Sequence, residues 1–373
     1  MRIAIIVPLV HEASGGFEKH LKELVAHWRK SSRISDFAIF TPTKVLNHPD
    51  QLDCQIVQVN RRDFRNSTSK TVDFISKNYD VALVNTARPV ALKLLPTVTM
   101  VRNIEPIQRA DYPMPLLWKF RRFFLRKEHE IACKNTTRIL AVSAYVKEQI
   151  CREFRISQEK VDVVYHGIDL DWISPNQPVS IHSSRDFIFC AGGLTPYRGF
   201  EDIIRAIAMV RSQQKETPLV VLAGGSVGFA QPYEHYLRNL IKKLNVEDLI
   251  IWTGQLRQDE MVWCYINAKM FVQTSRAESF SNTQLEAMAY GSICISCNQP
   301  PMPEILEKAA LYYPTGDVVA LAEKIRQVLN MRRDEVESWR KKARNRASQF
   351  SGEKCTEQTL DVLECAISHY SGS

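Results

Sequence analysis

No run in this 373-residue chain approaches the ~20 consecutive apolar residues needed to span a bilayer, which excludes a transmembrane helix. The opening MRIAIIVPLV has one basic residue, a short apolar run and no small-residue cleavage site after it. It reads as a first buried strand and not as a secretion signal, so the chain is expected to stay in the cytosol. Cysteine occurs nine times, odd in number and scattered, which excludes a disulfide framework and fits reduced thiols. One Cys-x-x-Cys occurs, at Cys294 and Cys297. On a strand, positions i and i+3 point to opposite faces, and no second Cys or His pair lies near it. The nine histidines show no His-Glu-x-x-His or other metal-ligand spacing, and no Gly-x-Ser-x-Gly marks a nucleophilic serine. Gly224-Gly225 lacks the Gly-x-Gly-x-x-Gly spacing of a dinucleotide site.

Length and apolar content point to two domains with full cores, and aromatics and charge are those of a soluble globular protein. The net charge of +8, from 49 basic and 41 acidic side chains, favours an anionic partner without choosing among nucleic acid, phospholipid and a phosphorylated small molecule. Short apolar runs rich in Val, Ile and Phe (RIAIIVP, DFAIF, CQIVQV, DVALVN, TVTMV, RILAVS) alternate with amphipathic stretches such as Phe17–Arg29 and Tyr145–Phe154. Continuous apolar strands between helices mean a parallel sheet covered on both faces. The rhythm stops near Tyr165. The polar stretch Ser174–Asp186, with two prolines, reads as a linker. A second cycle then runs FIFCAGG, a helix over Phe200–Gln213, LVVLAGG, a helix over Tyr233–Leu244, LIIWTG, KMFVQT, a helix over Thr283–Tyr290 and the strand SICIS. The expected fold is α/β, two doubly wound Rossmann-like domains facing a cleft. Residues 1–173 would form the first, 174–186 the linker and 187–354 the second, with a helix in 355–373 (around Cys355–His369) crossing back to the first.

Chemistry concentrates in SRAESFSNTQLEAMAYG. Glu278 and Glu286 stand eight apart across a strand-to-helix junction, with Ser279, Phe280, Ser281 and Asn282 between them. Asn282 is placed to cap the helix, whose N–H groups and positive dipole end suit a diphosphate. Glu286, a turn further in, suits sugar or ribose hydroxyls.

This segment resembles the Glu-x7-Glu signature of the family 4 retaining glycosyltransferases, usually followed by Ala-Met-Ala-x-Gly. Gly15-Gly16 after the first strand, with Glu18 and His20 behind it, resembles the family's glycine-rich turn. VVYHGID, AGGLTPYRGFEDIIRAI, LVVLAGG and LIIWTGQL resemble further family motifs in the family's order, over nearly the whole chain. The resemblance implies the two-domain fold called GT-B. The C-terminal half would bind a nucleotide-diphosphate sugar through Gly192, Gly193, Gly224, Phe280, Ser281, Asn282 and Glu286, with Gly15 and Gly16 of the N-terminal half as further donor-binding residues. The N-terminal half would bind the acceptor. Glu278, Arg198 and Arg102 would be catalytic, with no metal and no cofactor, the nucleotide sugar being a substrate. Two departures stand out. The phosphate loop, usually Gly-Arg-Leu-x-x-x-Lys-Gly, here reads GGLTPYRG, so Gly193 replaces one cation and Arg198 the other. Negative charge building on the leaving phosphate then needs another cation. Arg102 is the candidate, in a run TVTMVRNIEP where many members place a histidine; Asn103 and Glu105 are candidates for the acceptor. Asp169-Leu170-Asp171 spells a metal motif of the other major glycosyltransferase fold but sits where this family has a structural Asp.

Two other functions share the pattern: a nucleotide-sugar 2-epimerase and a non-catalytic glycan-binding relative. A last stretch concerns the acceptor. Pro115–Lys127 holds Lys119, Arg121, Arg122, Arg126 and Lys127, no acid, and Trp118, Phe120, Phe123 and Phe124 between them. Two readings follow. A basic amphipathic helix can lie on anionic lipid, giving a protein peripheral at the inner face of a membrane and a glycan or lipid-linked acceptor. Alternatively its apolar side packs on the sheet. Nucleic acid is not expected as a partner, because no RNA-binding motif accompanies the stretch.

Overall fold

The computed structural model describes the chain apart from residues 10–14, 43–51, 109–115, 171–173, 182–184, 214–215, 226–230 and 372–373. Asp171, Pro115 and part of the expected linker lie outside the described residues. The chain divides into two units. One takes Met1–Arg109, Pro115–Asp169 and Phe350–Ser373; the other takes Ala110–Met114 and Leu170–Gln349.

The first unit carries seven parallel strands: β1 (Arg2–Ile6), β2 (Asp36–Thr41), β3 (Gln55–Gln58), β4 (Val81–Val84), β5 (Thr97–Val101), β6 (Arg138–Ala141) and β7 (Val161–Val163). They lie in the order β3-β2-β1-β4-β5-β6-β7. Every described pairing is parallel, Ile3 meeting Phe37 on one side and Val81 on the other. The helices between them are α1 (Gly15–Trp28), α2 (Lys70–Asn78), α3 (Leu116–Asn135) and α4 (Ala144–Phe154). β4 is buried at every residue because helices cover both faces, which is why the sequence shows unbroken apolar runs there. Ser69 and Ser143 cap α2 and α4 by accepting from Val72 N and Val146 N at 3.2 Å each, the ordinary use of serine at a helix start.

The second unit repeats the plan with six parallel strands: β8 (Phe187–Ala191), β9 (Leu219–Ala223), β10 (Ile250–Gly254), β11 (Met270–Gln273), β12 (Cys294–Cys297) and β13 (Ala310–Tyr313). Their order is β10-β9-β8-β11-β12-β13. Helices α5 (Phe200–Gln213), α6 (Gln231–Lys243), α7 (Gln258–Asn267), α8 (Asn282–Ala289), α9 (Met302–Leu306), α10 (Val318–Leu329) and α11 (Arg333–Ala347) accompany them. In both sheets the order reverses beside the first strand, and ligands of such sheets sit beyond the strand carboxyl ends at that reversal. In this unit the reversal lies between β8 and β11.

Helix α12 (Gly352–Ser371) belongs to the first unit, where it packs on α1 and along β4, β5 and β6. Leu360, Leu363 and Ala366 carry its fully buried face. Arg33 draws three of its acids together, bonding Glu357, Asp361 and Glu364 at 2.8 Å each. Asp169 is structural: its carboxylate bonds His27 Nε2 at 2.6 Å and accepts from Gly352 N at 3.2 Å, tying α1 to the start of α12. Cys294 and Cys297 are both buried free thiols.

Candidate functional site

At the end of β8 the chain turns sharply through Gly192, whose φ of +153° is one that residues with side chains rarely adopt and where an added Cβ would crowd the Arg198 side chain at 3.2 Å. Gly193 faces open space where the family pattern has an arginine. Pro196–Arg198 form one 3₁₀ turn, closed by Gly199 in the left-handed region at φ +64°. That turn aims Arg198 back across the strand ends. Its Nη1 forms an ion pair with Glu278 and reaches Ser275 Oγ at 3.3 Å. Its Nε is buried and has no partner among the described residues. Burial works against the guanidinium charge, yet Glu278, with Tyr197 beside it, more than offsets this and raises the Arg198 pKa above its ordinary value.

Glu278 is fixed from the other side by β11: Gln273 Nε2 donates to its Oε1 at 2.7 Å and to Ser281 Oγ at 2.8 Å. Ser281 takes a left-handed conformation (φ +76°, ψ +73°) and is the residue that starts α8. The expected cap at Asn282 does not form. Asn282 is the first helical residue, and its buried Oδ1 has no partner among the described residues, because the strained Ser281 already turns the chain into the helix. Phe280 is buried within the loop. One turn on, Glu286 Oε2 accepts from Tyr265 OH at 2.9 Å. Tyr265 is fully buried, and burial and then Glu286 hold its pKa well above the usual phenol range, so it stays a donor. Gly224, at the end of β9, donates its N–H to Gly254 O at 2.8 Å and packs its Cα on the Gly192 carbonyl. Arg198, Glu278, Gly192 and Gly224 are thus gathered on the carboxyl ends of β8, β9 and β11.

A second arginine underlies this arrangement and was not singled out from the sequence. Arg276 N donates to Tyr197 O at 2.7 Å, and its guanidinium bonds Asp202 at 2.8 Å and lies 3.2 Å from Glu201. Thr274 Oγ1 donates to Arg198 O at 2.7 Å. The Pro196–Arg198 turn is therefore tethered by its backbone to the residues just before Glu278, so the two sides of the site cannot drift independently.

In the first unit, Gly15 and Gly16 open α1, and Arg102 follows β5. Arg102 Nη2 bonds Gly16 O at 3.4 Å, and the guanidinium stacks 4.7 Å over the Phe17 ring. Its Nη1 is buried without a partner among the described residues, and burial pushes its pKa down to about 10. Asn103 is exposed and accepts from Glu105 N at 3.1 Å. Glu105 is buried and turned toward α3, where Arg122 Nε lies 3.5 Å from its carboxylate. Beside Arg102 the structure brings together His20, His166 and Cys355, all buried, with ligating atoms within 4.8 Å of one another. The two imidazoles meet edge to face at 4.5 Å between ring centres. The trio has the donor chemistry of a soft metal site, but the neighbouring guanidinium would repel a dication.

Burial, reinforced by Arg102, holds His20 and His166 well below the ordinary imidazole value, and burial with Arg88 pushes His129 down to about 4. All three are neutral when folded, whereas the unfolded chain binds their protons as pH falls through 6.5. Their contribution to stability is therefore complete above that value and is lost below it, at about 1.4 kcal/mol per pH unit for each. Urea unfolding between pH 7 and about pH 4 should show a steep decline for the first unit, and His129→Asn should reduce its slope by about a third. An unchanged slope in that variant would show that His129 titrates normally.

Residues 176–346 match the family described as glycosyl transferases group 1, and residues 14–172 match glycosyltransferase family 4. An uncharacterised glycosyltransferase of Methanocaldococcus jannaschii is 27% identical over 46% of this chain and 45% of its own. O-antigen chain mannosyltransferase B of Escherichia coli is 24% identical over 65% of this chain and 64% of its own. The chain thus spans between about half and two thirds of these curated relatives. Among solved structures, Anabaena HepE in complex with UDP and glucose superposes with a TM-score of 0.76 at 17% identity, covering 98% of this chain and 100% of that one, a likeness of fold.

Proposed function

Because the chain belongs to the family 4, group 1 glycosyltransferases, we propose that it is a retaining, metal-independent enzyme that moves a sugar from a nucleotide-diphosphate donor to a glycan or lipid-linked acceptor. The observation that carries the reading is the Arg198–Glu278 pair at the sheet reversal of the second unit, beside the N-terminus of α8. A buried guanidinium with an open Nε, beside the positive dipole end of α8, suits the two phosphates of a departing nucleotide. Glu278, held by Gln273, accepts from donor-sugar hydroxyls once Arg198 turns to the phosphate. Glu286, held by Tyr265, accepts from the ribose. Gly192 and Gly224 let backbone approach the donor. Arg102, at the glycine turn of the first unit, is the candidate for a further cation in the reaction, and Asn103 and Glu105 follow it on the unit read as binding the acceptor. The attacking hydroxyl enters on the leaving-group side and passes its proton to the phosphate oxygen, so no side chain has to act as base. HepE was solved with UDP and glucose, which makes UDP-sugars the first donors to try. A cytosolic enzyme peripheral at the inner face of a membrane, acting in polysaccharide assembly, completes the reading.

Thermal unfolding with a panel of nucleotide diphosphates and their sugars tests it directly, since a ligand at a hundred times its Kd stabilises by about 2.7 kcal/mol. One nucleotide class should raise the Tm, and sugar transfer with that donor should survive excess EDTA. Activity that EDTA abolishes and only a divalent cation restores would overturn the metal-free mechanism. Donor alone converted to an epimer, with no transfer, would overturn the transferase.

A further inference from the structure

Helix α3 presents two separate apolar faces. One is inward, where Trp118, Leu125, His129, Ala132 and Cys133 are buried. The other points away from the unit: Phe120, Phe123, Phe124 and Ile131 are 57%, 56%, 65% and 46% exposed. Positions 120, 124, 127 and 131 share one helix face by their three- and four-residue spacing, and that crest runs about 17 Å at 1.5 Å per residue. Packing on the sheet therefore accounts for the inward face and leaves four large apolar side chains in water. Such a contiguous patch marks an interaction surface.

Its flank is basic. On the helix surface Phe124 neighbours Arg121 (i−3) and Glu128 (i+4). Arg65 and Arg88 both form ion pairs with Glu128, and Arg61 approaches it at 3.9 Å. Guanidiniums thus outnumber the carboxylate that joins them. Burial and then the charges of Arg61, Arg121 and Arg65 push the Arg88 pKa down to about 10, the mark of cations crowded together. The Lys119 side chain is exposed beside the crest, and Lys127, within it, pairs at 3.1 Å with Glu130. Arg122 and Arg126 are different. Arg122 donates to the Glu105 carbonyl at 2.9 Å, and Arg126 to the Ile107 carbonyl and to Glu153 at 2.9 Å each, so both hold α3 to its own unit.

We propose that the Phe120–Phe123–Phe124–Ile131 crest of α3, with the arginines around Glu128, is a docking surface for an anionic phospholipid bilayer. Aromatic rings set among cations fit the boundary between headgroups and acyl chains, and surplus guanidiniums fit lipid phosphates. No described helix is long and apolar enough to cross a membrane, and the contact proposed is with the surface of α3. This surface deepens the membrane part of the proposed function but does not depend on sugar transfer.

The test is flotation of the full chain with vesicles containing neither donor nor acceptor, made of phosphatidylcholine with or without phosphatidylglycerol. Wild type should float with the anionic vesicles at low salt, stay behind with the neutral ones and detach as salt rises. Phe120→Ala with Phe124→Ala should lower the partition coefficient at least tenfold or so, and Arg121→Glu about tenfold. Arg122 is left intact because it is structural. Each variant should keep the wild-type Tm and the wild-type Tm rise with nucleotide, which reports the donor site independently. Absence of flotation by wild type, equal flotation on both vesicle types, or unchanged flotation of both variants would overturn the proposal. So would a concentration-dependent dimer abolished by the Phe substitutions, since the crest would then be a contact between copies of the chain. A failed nucleotide shift with normal flotation would sink the donor site and leave the docking surface standing.

Discussion

Arg198→Ala is expected to lower kcat by roughly two to three orders of magnitude, the scale of about 3–4 kcal/mol for losing a preorganised contact to a charged transition state. Glu278→Gln should lose a similar factor, through the sugar hydroxyls. Both substitutions should also cost stability. From the sequence the two residues look like loop positions that the core would not notice. In the structure they are a largely buried ion pair, with 22% and 9% of their side chains exposed. Removing one partner leaves the other charge desolvated, a cost of about 3–5 kcal/mol for fully buried pairs. Glu278→Gln strands the guanidinium, while Arg198→Ala strands a carboxylate that still has Gln273, so the first should be the less stable protein. The decisive measurement is kinetics below the melting range of each variant, paired with urea unfolding. Near-normal kcat in either one, with the protein folded, would mean that residue has no part in catalysis.

Gly224→Ala should be the most damaging conservative substitution in the second unit. Gly224 sits at φ +139°, a conformation that side-chain-bearing residues rarely adopt, and an added Cβ would run into the carbonyl oxygen of Gly192. The obstacle is backbone on backbone, so no rotamer change relieves it. Strain at such a site costs about 1–3 kcal/mol, and the collision adds the cost of overpacking, about 1–3 kcal/mol more. A Tm drop of several degrees is expected for the second unit, together with weaker nucleotide binding, because the loop that must move is the one leading to Arg198. Gly193→Ala is the control: nothing lies within contact distance there, and its stability should match wild type. Equal behaviour of the two variants would refute the assignment of Gly224 to backbone packing.

Much of this was legible in the chain itself. Buried parallel strands leave unbroken apolar runs such as VALV and FIFCA, and the residues at their ends, Arg198 and Glu278, carry chemistry out of proportion to their surroundings. What local sequence could not give is the support. Tyr265 reaches Glu286 from another helix, Gln273 bridges Glu278 and Ser281 across a turn, and Arg276 acts through its backbone as much as its charge. His20, His166 and Cys355 are assembled by the return of α12, which no spacing rule anticipates. The cap was misjudged for a specific reason. Asn282 has the right chemistry, but the turn is made by Ser281 in a conformation where glycine or asparagine would be expected.

The interrupted course of the first unit has a bearing on how the protein is made. Its sheet is complete by Val163, yet α12, which covers β4, β5 and β6, is not translated until all of Leu170–Gln349 has been. At ~5–20 residues per second, that interval lasts about ten to forty seconds on the ribosome. For that time the nascent sheet has an uncovered apolar stripe, while the uninterrupted run Leu170–Gln349 can fold as it emerges. Vectorial synthesis thus leaves the first unit as the one exposed to aggregation and chaperone capture. In the folded unit the Gly352 amide donates to the Asp169 carboxylate at 3.2 Å, which joins the start of α12 to the last residue before the long excursion.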